Sequence, residues 1–335
     1  MATARGLFLK ASACYASAYH PLYRVPVDPR LPAAFHKQIA AFDAGLAIGE
    51  HPPEHVQIPF ENATLPGYLV RAAGHERETR PLLILTNGYD ATVTEMYFAS
   101  AVAAAQRGYH CLLFDGPGQG APLIEQGLHL RPDWEVVVRA VVDVALGLPN
   151  IDPKRIALSS WSLGGYLACR AASGEPRLAA CIADPGLWGI AAGFGDFLTQ
   201  LGAPPNAADD IGNLDQAVVD RLAQTAEQNP RRHWTIMQRG FWVHGVDSVR
   251  GFLQAIVPFT LDGRVDAIAC PTLLTRAEND PLGGTAQRIF DALRCPKTLL
   301  EFTAAEGAGD HCELFNRTLL NARVFDWLDS VFVPD

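Results

Sequence analysis

Ser162, Asp280 and His311 stand in that order along the chain, each in a loop beyond a short apolar run, and together they could activate a hydroxyl for attack on a carbonyl. A serine hydroxyl is a poor nucleophile near neutral pH. It needs a base to take its proton and a carboxylate to orient the imidazole and stabilise its charged form. The segment Ser159-Ser160-Trp161-Ser162-Leu163-Gly164-Gly165 follows Ile156-Ala157-Leu158 and opens the small-residue stretch Tyr166 to Ala172. Small residues two before and two after Ser162 let a strand and a helix pack closely around a strained turn, which holds the hydroxyl above a sheet. Ser160 replaces the usual first glycine, and taken alone the stretch reads equally well as an ordinary Ser/Gly loop. Chain order favours the nucleophile, because Ala277-Glu278-Asn279-Asp280 and then Gly309-Asp310-His311 follow it as acid and base should.

Asp280 is the expected carboxylate, with room for one helix and one strand between it and His311; Glu278 in the same loop is the rival, otherwise a solvated acid. His311 is the histidine that follows the last strand pattern, and Asp310 and Glu313 beside it read as loop and helix N-terminal acids. The oxyanion formed on attack needs preorganised donors. The backbone N–H groups of Leu163, directly after the nucleophile, and Tyr89, in the Asn87-Gly88-Tyr89 loop, are expected to supply them. The Tyr89 ring could instead line the pocket, and Asn87-Gly88 could be only a turn. Asp115-Gly116-Pro117-Gly118-Gln119-Gly120 lacks the lysine and spacing of a phosphate loop, so it reads as a structural turn beside the site.

The elements that must position these residues follow from periodicity. Apolar runs at 82–85, 109–114, 156–158, 180–183, 272–275 and 298–302 alternate with helical patterns at about 92–107, 132–146, 166–172, 285–293 and 314–328. Continuous apolar strands between amphipathic helices predict a parallel sheet covered on both faces, with active residues in loops at the carboxyl ends of its strands. A hairpin, 55–60 and 65–71 around Glu61-Asn62-Ala63-Thr64, is expected at the sheet's edge. The predicted division is a helical N-terminal extension at 1–54, the first core part at 55–186, a helical cap insertion at 187–266, and the second core part at 267–335. Helical periodicity in the extension is clearest from Leu31 to Ile48.

A chain of 335 residues, 49% hydrophobic and 19% charged, is long enough for a sizeable core with an accessory subdomain. A net charge of −9 without basic runs argues against nucleic acid or an anionic membrane as partner and for a small or neutral substrate, and the aromatic residues expected in the cap favour an apolar or aromatic one. Oligomeric state stays open, a homodimer included. The seven scattered cysteines read as reduced core residues without zinc spacing, so neither metal nor cofactor is expected. The N-terminus has too short an apolar run for a secretory signal and no stretch could span a bilayer, which makes a cytoplasmic location the expectation.

On Leu65-Pro66-Gly67-Tyr68-Leu69, Asp115 to Gly120, Ser162-Leu163-Gly164-Gly165, Val243-His244-Gly245-Val246-Asp247-Ser248 and Asp310-His311-Cys312, the chain after residue fifty resembles the α/β-hydrolase superfamily. Within it, the chain looks like the branch of the pseudooxynicotine-type carbon-carbon bond hydrolases and the fungal polyketide-shortening hydrolases. The resemblance implies an α/β-hydrolase fold with a helical N-terminal segment packed with the cap over the active site. It implies Ser162, Asp280 and His311 as triad, and Tyr89 and Leu163 as oxyanion donors. The implied activity is cleavage of a carbon-carbon bond in a β-diketone, polyketide-like or aromatic ketone through an acyl-enzyme. An ester, lactone or amide hydrolase would use the same residues, and the fold also hosts acyltransferases and cyclases. Trp161, Trp188, Trp234, Trp242 and His244 are expected substrate contacts, although the cap aromatics read equally as that segment's own core. Asp184 and Asp196 are further pocket carboxylates to consider.

Overall fold

A computed structural model describes residues 2–204 and 206–332. Its eight-stranded sheet comprises β1 (Glu54–Phe60), β2 (Ala63–Val70), β3 (Arg80–Thr86), β4 (His110–Phe114), β5 (Ile151–Ser160), β6 (Ala180–Ala183), β7 (Thr272–Ala277) and β8 (Lys297–Phe302). The order across the sheet is β1-β2-β4-β3-β5-β6-β7-β8. β1, β2 and β4 pair antiparallel, and every pair from β4 to β8 is parallel. Every residue of β4 and β6 is buried, as helices on both faces require of a parallel sheet. The edge hairpin is tighter than expected. Glu61 adopts a φ of 51°, so Phe60 pairs directly with Ala63, and Ala63 and Thr64 belong to the strand.

The crossover after β3 begins at Val93, where Thr92 and Glu95 cap each other's backbone groups, and ends at Gly108 in the left-handed region with φ 97°. The helix Trp134–Gly147 buries Trp134, Val137, Val138, Val141, Val142 and Ala145, a single stripe at helical spacing against the sheet. β3, β5, β7 and β8 run parallel, so the loops holding Tyr89, Ser162, Asp280 and His311 all leave the same edge of the sheet. The final helix starts at Arg317 rather than Leu314, because Cys312 and Glu313 take positive φ and break the preceding turn.

The chain divides into two compact units. The sheet unit consists of His51–Gly116, Asp133–Trp188 and residues 261–332. The helical unit consists of residues 2–50, Pro117–Pro132 and Gly189–Thr260. Its N-terminal part is a pair of helices, Ala2–Tyr19 and Arg30–Leu46, in which the buried Tyr19 hydroxyl donates to Gln38 at 2.7 Å. A core of Leu198, Ile211, Val218, Leu222, Phe252, Leu253 and Ile256 gathers the helices of the insertion. The boundaries depart from the sequence reading, with the sheet unit starting at His51 rather than at 55 and resuming at Leu261 rather than at 267. Trp188 falls in the sheet unit, and Pro117–Pro132, read as part of the sheet core, belongs to the helical unit. There the Leu130 N–H donates to the Val243 carbonyl and His129 Nδ1 to the Trp242 carbonyl. The single helix of this stretch, Gly120–Ile124, is too short to leave a periodic signal.

Candidate active site

Ser162 sits between β5 and the helix Gly164–Ala172 with a φ of 60°, a conformation that costs a β-carbon residue about 1–3 kcal/mol and persists only where its surroundings enforce it. The enforcement is visible in the adjacent glycines. A β-carbon on Gly165 would lie 1.8 Å from the Pro185 carbonyl oxygen, and one on Gly164 would lie 2.9 Å from that of Asn87. Ser160, the departure from the usual glycine, is accommodated because its hydroxyl is buried and donates to the Ile182 carbonyl on β6 at 3.1 Å.

The Ser162 Oγ lies 3.0 Å from His311 Nε2, and His311 Nδ1 lies 2.9 Å from both carboxylate oxygens of Asp280. Asp280 is 1% exposed at its side chain while His311 is 37% exposed, so the carboxylate is fixed and the imidazole keeps an open side. The Leu282 N–H holds Asp280 Oδ1 at 2.9 Å. Burial pushes the imidazole pKa down, but the hydrogen bond and charge of Asp280 outweigh it, and the net position is above the ordinary value. Glu278 takes no part: it is exposed and accepts from the Ala304 N–H at 2.7 Å.

Leu163 and Tyr89 flank Ser162 from the ends of β5 and β3. The Leu163 N–H stands at the start of a helix, where amides have no carbonyl of their own helix to meet and the dipole favours negative charge. Gly88 allows the β3 loop to come this close, since a β-carbon there would lie 2.8 Å from Ser162 Cβ and 3.3 Å from its Oγ. Gly88, Tyr89, Trp161, Ser162, His311 and Leu314 line a pocket of about 140 Å³.

Several supporting residues have no motif to reveal them. The Cys312 thiol, read only as core, accepts the Ser162 backbone N–H at 3.1 Å. Burial pushes its pKa up, so it stays a thiol. Arg317 Nη1 binds both the Cys312 carbonyl at 2.8 Å and Asp184 Oδ2 at 2.7 Å, while Asp184 Oδ1 accepts from Thr275 at 3.0 Å. Asp184 is thus a buried brace rather than the pocket carboxylate considered from sequence. On the other side, Trp161 Nε1 donates to Asn87 Oδ1 at 3.2 Å and Asn87 Nδ2 to Asp115 Oδ1 at 2.8 Å. Burial pushes the Asp115 pKa up to about 8, with the charge of Glu95 adding to it. The Asp115 turn therefore braces Trp161. Asp280, His311 and Cys312 offer three donor atoms within 4.8 Å of one another, a spacing a metal could use. Here both imidazole nitrogens already face Asp280 and Ser162, and the sulfur is protonated.

Asp310 accepts from the Phe315 N–H, as a loop acid should. Glu313 does not: its side chain is buried and its backbone is left-handed at φ 49°. Burial, with the charge of Asp184 beside it, raises its pKa far above the carboxylate range, so it is held protonated.

Of the expected substrate contacts, Trp161 lines the pocket with Ser162. Trp188 does not; its Nε1 donates to Asp262 at 3.1 Å and the Arg288 guanidinium stacks 3.7 Å from its ring centre. Trp234, Trp242 and His244 belong to the helical unit. Trp234 donates to the His20 carbonyl and stacks on Tyr23, whose ring also meets Trp242. His244 meets Phe252 and Phe259 edge-on, and burial lowers its pKa to about 4. The side chain of Asp196 lies outside the described residues. Among the described residues no helix is long and apolar enough to cross a membrane.

A model of the alpha/beta hydrolase family matches residues 82–322. The chain is similar to a hydrolase of Fusarium sp, 33% identical over 350 aligned positions that cover 97% of this chain and 80% of that protein. It is equally similar to the 20-hydroxy-prefusarin hydrolase of Gibberella moniliformis, at 33% identity with 97% and 80% covered. Among solved structures, the 2,6-dihydroxy-pseudo-oxynicotine hydrolase superposes with a TM-score of 0.74 at 22% identity, covering 98% of this chain and 81% of that one, and shares the fold.

Proposed function

The chain belongs to the α/β-hydrolase family and is a hydrolase, and from that premise we propose that Ser162 is its nucleophile and a carbon-carbon bond its target. The observation that carries the serine mechanism is the continuous line of contacts from Ser162 Oγ through His311 to the buried Asp280. His311 Nε2 takes the hydroxyl proton as Ser162 Oγ bonds to a ketone carbon, and the oxyanion is held by the N–H groups of Leu163 and Tyr89. Collapse of the tetrahedral species re-forms the carbonyl and breaks the bond to the neighbouring carbon. His311 returns the proton to that carbon, and water then releases the acyl group from Ser162 by the same route in reverse. A departing carbanion is tolerable only where a second carbonyl or an electron-poor ring delocalises it, which directs the proposal to β-diketones and polyketide-like or aromatic ketones.

The choice of bond rests on the resemblance of the Asp115–Gly120 and Asp310–Cys312 motifs to the carbon-carbon hydrolase branch; the relative named 20-hydroxy-prefusarin hydrolase supports a hydrolase without specifying the bond. Rates on β-diketones and on alkyl esters of the same acyl group test it. We expect the diketone to be the better substrate in kcat/KM. Faster turnover of the simple ester by orders of magnitude would remove the carbon-carbon reading and leave an esterase using the same three residues.

A further inference from the structure

The helical unit contains a cavity of its own, and we propose that it binds a small organic carboxylate, an anionic group on an apolar body, at Arg231 and Arg232. It measures about 410 Å³, within the range of about 300–1,000 Å³ typical of small-molecule sites. It is lined by Phe194 and Phe197 from one segment and by Asn229, Arg231, Arg232 and Ile236 from another. Ile236 is buried in the unit's core and the two phenylalanines pack on that core, so one wall of the cavity is firmly apolar. The other wall is cationic. Arg231 and Arg232 supply its charge, and the described lining residues include no acid. The facing segment, Gly193 to Gln200, has one acid, Asp196, so arginines stay in excess over the two segments together.

Both lining arginines offer guanidinium donors to a ligand. Among the described residues neither guanidinium has a carboxylate partner, and that of Arg232 lies 3.9 Å from the centre of the Phe197 ring. Stacking of this kind leaves the in-plane N–H donors pointing outward, where the planar fork matches a carboxylate bidentately. Asn229 holds the turn that presents both arginines, its side chain accepting the Arg232 backbone N–H at 3.0 Å. An inorganic anion would leave the phenylalanine wall wet, and an uncharged hydrocarbon would bury guanidinium groups without compensation. An aryl or alkyl carboxylate satisfies both walls. The inference does not depend on which bond Ser162 attacks.

Calorimetric titration of the full-length protein with decanoate and with cinnamate tests the site, with decan-1-ol and inorganic phosphate as controls. We expect saturable one-site binding of a carboxylate, at least tenfold weaker binding of the alcohol and of phosphate, and a loss of at least tenfold in Arg232→Gln and in Arg231→Gln. Phe197→Ala should weaken binding while leaving the rate of Ser162 labelling unchanged. Equal affinity in the parent and both arginine variants would place any binding elsewhere and overturn the proposal, as would the absence of saturable binding by either carboxylate.

Discussion

In the proposed mechanism Asp280 would govern the reactivity of Ser162 through His311, because the imidazole must be neutral to accept the hydroxyl proton and its pKa is held above the ordinary histidine position by that carboxylate. The expected kcat/KM therefore falls as pH drops through a value above about 6.5. Asp280→Asn should lower kcat by on the order of 10³–10⁴-fold and move this acidic limb downward; a pH-rate profile whose limb stays in place would separate His311 from Asp280. Glu313 makes a different prediction, for stability. The unfolded chain gives up the Glu313 proton in the ordinary carboxylate range, whereas the folded chain retains it, so folding stability declines as pH rises above that range, by up to about 1.4 kcal/mol per unit. Glu313→Gln, which imitates the protonated acid, should stabilise the protein by an amount that grows between about pH 5 and about pH 8. Urea denaturation at the two pH values measures it, and a gap independent of pH would mean that Glu313 ionises normally in the fold. The spacing of Ser162, Asp280 and His311 was legible because each follows a strand and obeys a fixed chain order. Glu313 was not, because two consecutive left-handed residues turned a surface-looking acid inward, and no residue type announces that.

At the scale of elements, close packing around the β5 turn restricts substitution more sharply than the chemistry does. Gly165 faces the Pro185 carbonyl at a distance no β-carbon can occupy, so Gly165→Ala must push the helix Gly164–Ala172 away from the loop after β6. We expect a loss of at least about 1–3 kcal/mol in thermal or urea unfolding; a variant as stable as the parent would show that the turn yields to a β-carbon without cost. Strands buried on both faces were the easiest elements to read, and β6 matches its expected bounds, because an uninterrupted apolar run between breakers has few other uses. The start of the final helix was misplaced by the irregular turn at Cys312 and Glu313, and the hairpin loop by the positive φ of Glu61. Both are backbone conformations that ordinary residues adopt only under tertiary constraint. The braces at Asn87, Asp115, Asp184 and Arg317 were hidden for a related reason, since each contact joins residues distant in sequence.

Over the whole molecule the chain passes five times between its two units, so neither is a continuous piece of sequence. That interleaving is why length and periodicity alone do not place Trp188 in the sheet unit and Pro117–Pro132 in the helical unit. It also makes residues far apart in sequence the ones that count: Ser162, Asp280 and His311 meet because four parallel strands end at one edge. Many serines and seven cysteines occur in this chain, but only at Ser162 do the described residues place a hydroxyl against a histidine backed by a buried carboxylate. Intact-mass spectrometry after treatment with a fluorophosphonate asks the whole protein which of its groups is activated. The account predicts a single adduct on the parent protein, mapped to Ser162, and none on folded Ser162→Ala or His311→Ala; an unlabelled parent, or an adduct that persists when Ser162 is replaced, would contradict it.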